Sequence, residues 1–390
     1  MSREGEGVGY PTEVGVEKQV LKGLVLNTIL RDLGRGAVML FLPVHLYRVG
    51  GIDLLLKYVI VSRGTEILIG HHMARIIGKV GFKAAVIMSG ILGGVVYTLF
   101  KYAADEWWWV AVAGSLAAVS IISYWIPHHL LFLETDKERF GERASWLSII
   151  ARWSQVLGPL AGGFLIVRLG FGGLFEWGVI MLLLSTLPIW LLEPDNLKWK
   201  FHVAHYWKKL EGKWFSRDLL AYMGYGMEET MLEVMWPVFL WEILKSPVVL
   251  GGYKSLVLVA SSLMVLIVGK RQDKGSLGWL FVPVTAILSG IWIVRGLWSN
   301  PLGLVTLDVI DGWAAILMVL PFGVYALRRA KVADSPLYIV EREAGLNLGR
   351  VVAAGISAVI IGLGGGWSLM VLIGVAGLWL MNLLPKTEAG

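Results

Sequence analysis

Two clusters of ionisable residues sit inside stretches that are otherwise apolar. Arg31, Asp32 and Arg35 fall in the run from 24 to 48, and Glu228, Glu229 and Glu233 in the run from 217 to 244. Arg31 and Arg35 are four residues apart, as are Glu229 and Glu233, so each pair shares one face of a helix. A charge near the middle of a bilayer costs about 2.5 to 3.5 kcal/mol on insertion scales, so six such groups need partners or water. Two chemistries suit them. In one, Glu229 or Glu233 exchanges a proton in a polar cavity while the arginines bind an anionic group or pair with the acid. In the other, the six groups are inter-helix salt bridges, with Arg31 and Asp32 in the headgroup zone. Glu229 is the first candidate for an exchanging acid, because it can meet Arg35 in one arrangement of the helices and part from it in another.

Other polar residues form smaller sets. Arg63 and Glu66, three apart, suit a local ion pair stapling one helix face. Asp308 and Asp311 share a face and either line the same cavity or lie near the outer surface, since Asn300 and Pro301 come just before them. Tyr225 and Trp236, with Tyr222, Tyr124 and Trp125, can stack on a bound molecule or pack between helices. His71 and His72 end one apolar run, and His128 and His129 another. Adjacent histidines point to different helix faces and a metal needs a further ligand, so headgroup or gate contacts suit them better than a metal site. The glycine string GLGGG at 362 to 366 lacks the preceding strand and the lysine of a phosphate loop. There is no HExxH pair, nucleophile elbow or ATP motif, so neither an enzyme nor a cofactor is expected.

The elements that must hold these residues are membrane helices. The chain has 390 residues, 56% of them hydrophobic and 16% charged, with a mean hydropathy of +0.67. A soluble core cannot absorb so much apolar side chain. Apolar runs long enough to cross about 30 Å of hydrocarbon fall near 24 to 48, 53 to 74, 82 to 102, 107 to 133, 143 to 169 and 172 to 192. Six more fall near 217 to 244, 249 to 269, 278 to 296, 301 to 327, 339 to 363 and 366 to 385. The 48 glycines and 19 tryptophans suit close helix packing and interfacial anchoring. With no cysteine, disulfides and thiolate metal sites are excluded. The net charge of +6 reflects basic residues in the short connections rather than nucleic-acid binding. With the N-terminus inside, nineteen lysines and arginines face the cytoplasm against five outside (Arg48, Lys101, Arg168, Lys245 and Arg295). That asymmetry places both termini in the cytoplasm of a multi-pass cell-membrane protein. Residues 1 to 17 lack the basic and apolar regions of a cleavable signal.

The one long connection divides the spans six and six: a cytoplasmic tail to residue 20, a first domain from 21 to 192, a linker from 193 to 216 and a second domain from 217 to 390. The linker stretch NLKWKFHVAHYWKKLEGKWF mixes aromatics with lysines, as a helix on an anionic membrane surface does. LPVHLY at 42 to 47 aligns with WPVFLW at 236 to 241, pairing Pro43 with Pro237, and Pro127 pairs with Pro321 at the same offset of 194. Arg35 and Glu229 are then equivalent positions, and Arg152 pairs with Arg350 at a slightly larger offset. Such matches at one half-length indicate a parallel duplication.

Several motifs sit on this frame. GPLAGG at 158 to 163 in the fifth span, with Gly158, Pro159, Gly162 and Gly163, resembles the fifth-helix motif of the major facilitator superfamily. GHHMARIIGKVGFK after the second span and GKRQDKG after the eighth resemble that family's cytoplasmic gate signature, carried here by Lys79, Gly269, Asp273 and Lys274. Ile76 stands where the pattern has an acid, so the first-half latch is incomplete. The fourth span, GSLAAVSIISYWIP, lacks the arginine of proton-coupled drug exporters. The resemblance implies an all-α fold of twelve helices in two pseudo-symmetric six-helix domains around a central cavity. It further implies secondary active transport of a small molecule, coupled to protons or Na+, by a monomer in contact with membrane lipid. The fifth-helix motif tilts the direction to export, as an antiporter. The alternatives are a lipid flippase or scramblase of the same architecture, and a non-transporting membrane enzyme or receptor.

Overall fold

Among the described residues the helices supply twelve spans, and six of those helices are by themselves long and apolar enough to cross a bilayer core. In the computed structural model, residues 14–103, 106–134, 140–192, 199–210, 216–272, 278–332 and 335–384 are described. The helices among them are α1 (Val14–Val80), α2 (Phe82–Lys101), α3 (Trp107–Glu134), α4 (Phe140–Trp190), α5 (Val203–Leu210), α6 (Arg217–Thr230), α7 (Trp236–Leu244), α8 (Pro247–Gln272), α9 (Phe281–Leu297), α10 (Pro301–Val332), α11 (Ser335–Gly362) and α12 (Trp367–Met381). The apolar part of α1 runs for 59 residues and that of α4 for 38, whereas one crossing needs about 20, so each contains two spans. α1 turns at Gly50 and Gly51, and α4 at Gly170. Gly51 has φ 69° with ψ −168°, and Gly170 has φ 71° with ψ −177°. That region belongs almost wholly to glycine, and it lets a helix reverse within a residue or two. α6, a π-turn at Met231–Met235 and α7 together form the seventh span.

The contacts repeat between the halves. In the second half the seventh span packs on the eleventh and twelfth, the tenth on the eighth and ninth, and the ninth on the twelfth. The first half has the same set six spans earlier. Gly36 meets Gly158, Gly34 meets Met181, Gly114 meets Val61, and Gly90 and Gly93 meet Thr186 and Leu182, while α2 packs on α3. The halves join through the second and eleventh spans and through the fifth and eighth, pairs that exchange under the same six-span shift. A two-fold axis along the membrane normal gives that result, and an inverted repeat does not.

Large apolar side chains such as Leu157, Val167, Leu187, Val359 and Leu372 are exposed on the outside of the bundle, as is Trp107 at a span end. A bilayer covers such a surface, and the indole sits at its edge. This is a multi-pass membrane protein.

The connection between the halves is more than a surface linker. The Trp199 N–H donates to the Gly78 carbonyl at 3.2 Å, tying the connection to the end of the second span. From α5, Tyr206 is buried and stacks on His71 at 5.3 Å between ring centroids and 7° between planes. Burial, with the charge of Glu341 beyond it, pushes the Tyr206 phenol up to about 12, so the ring stays neutral over the physiological range.

Candidate functional site

The charged residues of the spans fall into three groups, set by which helices bring them together. The first crosses the interface between the halves. Arg350 of the eleventh span donates to the Glu229 carboxylate from Nε at 3.1 Å and from Nη2 at 2.6 Å. Its Nη1 donates to Asn347 Oδ1 at 2.7 Å. The Asn347 amide donates in turn to Glu66 Oε2 at 3.1 Å, across to the first half, where the other Glu66 oxygen takes Arg63 Nη1 at 2.5 Å. A continuous chain of charge-assisted bonds thus runs from Arg63 to Glu229 through three spans. The spacing of Arg63 and Glu66 produces the local pair expected of it, and Glu66 uses its second oxygen between the halves.

Glu233 opens onto the same space. It is exposed, yet Glu229, Arg35, Lys254 and Arg350 all act on it electrostatically, so what it faces is a lumen between the helices. Its backbone explains the aim. Pro237 has no N–H to return to the carbonyl four residues back, and the Trp236 N–H reaches the Met231 carbonyl instead, closing a π-turn of the kind that often marks functional sites. Arg35 is half-buried, with its guanidinium 5.6 Å from the Trp125 ring. Arg35 is expected to meet Glu229 in one arrangement of the helices and part from it in another; in this one the partner of Glu229 is Arg350, from its own half. Glu229 and Arg350 are legible as an acid and a base within spans, but their pairing depends on how the seventh and eleventh spans pack.

The second group lies within the first half. The Arg31 guanidinium sits 3.5 Å above the Tyr124 ring and donates to Ser89 Oγ at 3.3 Å. Asp32 accepts from Gln155 Nε2 at 3.3 Å. Both are buried between the helices of the first half.

The third group lies within the second half. Trp236, Asp308 and Asp311 are all buried there. Asp308 accepts from Trp236 Nε1 at 2.7 Å, and its other oxygen takes Arg295 Nε at 2.9 Å and Nη2 at 2.5 Å. Arg295 Nη2 also lies 3.2 Å from Asp311 Oδ2. Trp236 stacks on Phe239 and Trp367, so its ring is engaged in packing. Arg295, 1% exposed, had counted as an outer basic residue; its place in the last turn of an apolar run was the missed signal. Glu228, on the seventh span, is buried as well. Tyr225 packs edge-on to Phe322 at 5.5 Å.

A pocket lies beside the interface chain, toward the side that carries the 193–216 connection. Glu66, His71, Trp125, Tyr206, Glu343 and Asn347 are among its walls. On the same side His129 Nε2 lies 3.3 Å from Arg342 Nη1 and 3.8 Å from Glu343. On the far side Ser255 Oγ donates to the Val156 carbonyl at 2.6 Å, and Arg48 lies 5.6 Å from the Trp241 ring. The halves therefore touch at both ends of the lumen. A Cβ on Gly158 or Gly162 would strike the backbone of the first span, and one on Gly163 that of Pro247 and Val248. GPLAGG thus packs the fifth span against both the first and the eighth. Pro159 lies inside α4, and its carbonyl is the nearest contact of Gly251. Of the gate residues, Lys79 is exposed at the end of α1 and Gly269 lies within α8, while Asp273 and Lys274 lie outside the described residues.

The chain is similar to three solved structures of two transporters over nearly its whole length. A mutant of the E. coli fucose:proton symporter FucP matches with TM-score 0.66 at 12% identity, covering 95% of this chain and 100% of that one. FucP in the outward conformation, solved as a major facilitator superfamily transporter, gives 0.65 at 11% over 95% and 100%. The chain has the major facilitator fold. A mutant of the nucleoside transporter NupG matches with TM-score 0.67 at 12% identity, over 93% and 98%. No family profile and no curated protein matches the sequence. In this major facilitator fold the interface chain of Glu66, Asn347, Arg350 and Glu229 lies where the two six-helix domains meet.

Proposed function

We propose that the chain is a secondary active transporter of the major facilitator superfamily that moves a small polar solute by alternating access. Residues 21–192 and 217–390 are the two bodies that rock about the lumen, and 193–216 ties them on the cytoplasmic side. The observation that carries this reading is the charged chain between the halves. An interface meant only to hold two domains together is better served by apolar packing, because a buried ion pair repays its desolvation poorly. Polar groups that must exchange partners during rocking, and meet a hydrated solute in between, give a reason for the cost. The fold shared with sugar and nucleoside transporters supports the same conclusion. Arg35, Arg63, Lys254 and Arg350 facing Glu229 and Glu233 suit a hydrophilic solute that offers hydroxyls or both signs of charge.

The test is a thermal-shift screen of purified protein against sugars, nucleosides, amino acids, organic acids and lipids. A ligand at 100 times its dissociation constant stabilises by about 2.7 kcal/mol. A shift with one polar class that is lost in Arg350→Ala supports the assignment. Shifts with lipids alone would favour a flippase or scramblase. A hit is then carried into proteoliposomes under an imposed pH gradient, where accumulation on one side gives direction and coupling together.

A further inference from the structure

A buried glycine of the second span faces open space. Gly70 is enclosed by its surroundings, yet a Cβ added to it would meet nothing within 4 Å. The space beyond it is the pocket beside the interface chain, walled by the second, fourth and eleventh spans and by Tyr206 of α5. The chemistry of that wall is one-sided. Glu66 and Glu343 give it two carboxylates, and no lysine or arginine is among the described residues that line it. The guanidinium groups that pair with these acids, Arg63 at 2.5 Å from Glu66 and Arg342 at 3.0 Å from Glu343, are not part of the wall. Arg342 meets only the Oε1 oxygen of Glu343, whose side chain is 21% exposed. A carboxylate can accept about four hydrogen bonds, so acceptor capacity remains. His71 adds an orphan: it is 3% exposed, lines the pocket, and its Nδ1 has no hydrogen-bond partner among the described residues. Its ring stacks on Tyr206, and Trp125 is a further ring in the wall.

What this wall lacks is a donor with positive charge. Carboxylates only accept, and aromatic faces attract a cation. A primary ammonium has three N–H donors and no lone pair. A hydroxyl offers one donor, and an acid would be repelled by Glu66 and Glu343. We propose that the pocket binds the ammonium head of a small aliphatic amine. Glu343, the more exposed of the two acids, is its main partner, and Trp125 and Tyr206 pack against its carbons. That a carried solute uses this pocket rests on the transporter reading; binding of the amine does not.

The test is a thermal-shift titration of the purified full chain with isobutylamine, isobutanol and isobutyrate at neutral pH and constant ionic strength. The three probes share one shape and differ in the head. Isobutylamine should raise the melting temperature saturably, and the alcohol and the acid should not. Gly70→Leu fills the pocket and should abolish the shift. Gly64→Leu should keep it, because that glycine also has open space beyond its Cβ but does not line the pocket. Glu343→Gln should weaken binding about tenfold or more, as the loss of a charge-assisted hydrogen bond does. Should Gly70→Leu fail to fold, the partly exposed Glu343 still reads the site. No shift with the amine, an equal shift with the alcohol or the acid, or an amine shift that survives both Gly70→Leu and Glu343→Gln overturns the proposal. An amine that binds this way but is not carried into proteoliposomes keeps the site and loses the transport reading. Transport of another solute by protein that binds no amine does the reverse.

Discussion

A guanidinium in a membrane protein does two different jobs here, and burial separates them. Arg295 is sealed with two aspartates, so its removal strands both. Arg350 lies against the lumen, where its side chain is 15% exposed and that of Glu229 23%, and water can solvate what is left behind. Arg295→Ala should therefore destabilise by roughly 3 to 5 kcal/mol, the cost of breaking a buried pair, and Arg350→Ala by roughly 1 to 3 kcal/mol. Thermal melts in detergent should rank the two in that order, and the reverse order would remove the distinction between structural and luminal clusters. Arg350→Lys should recover only part of the loss, because a single ammonium nitrogen cannot stand in for the three guanidinium nitrogens that reach Glu229 and Asn347 from fixed positions of a planar fork. The acids of the seventh span were legible because a carboxylate in an apolar run stands out. Their partners were not, because Arg350 and Asn347 lie in YIVEREAGLNLGR, which reads as the polar start of a span until the eleventh helix is packed against the second.

Helices carry these side chains to their places through a few backbone devices. The spans themselves were legible from hydropathy, and their ends agree with the helices to within a few residues for most of them. The π-turn at Met231–Met235 was not, since only Pro237 hints at it and proline more often marks a plain kink. GPLAGG was visible as a packing motif, but the sequence does not say which glycine meets which helix. That difference is testable. Gly158→Val presses on the first span within one half and should cost about 1 to 3 kcal/mol of stability, as overpacking does. Gly163→Val presses on Pro247 across the halves and should leave stability nearly intact while opening the far side. Ser255→Cys, at that interface in a chain with no cysteine, should then react several-fold faster with an impermeant maleimide, and an unchanged rate would count against a moving interface. The linker helix makes a further prediction. Tyr206→Ala should speed amide exchange across Val203–Leu210 and Tyr206→Phe should not, because the contact with His71 is one of rings. Equal exchange in both variants would mean that the helix is held by something other than this stack.

At the scale of the molecule, the two halves share one packing plan, and the lumen lies where they meet. The parallel repeat was legible from the two proline pairs, since a duplicated unit keeps its helix-bending residues at matched places. The closure at both ends was not, because it depends on contacts between residues far apart in the chain, such as Asn347 with Glu66 on the connection side and Arg48 with Trp241 on the far side. Rocking requires that one set of contacts opens while the other holds. Spin-label distance measurements between the halves test this most directly, using cysteines placed at exposed residues of the cysteine-free chain. Lys79 with Arg328 reports the connection side, and Tyr102 with Leu302 the far side. Asn347→Ala should lengthen the first distance and leave the second closed, and Gly163→Val should lengthen the second and leave the first closed. Distances that stay narrow and unchanged in both variants, or that lengthen together on both sides, would contradict alternating access in this protein.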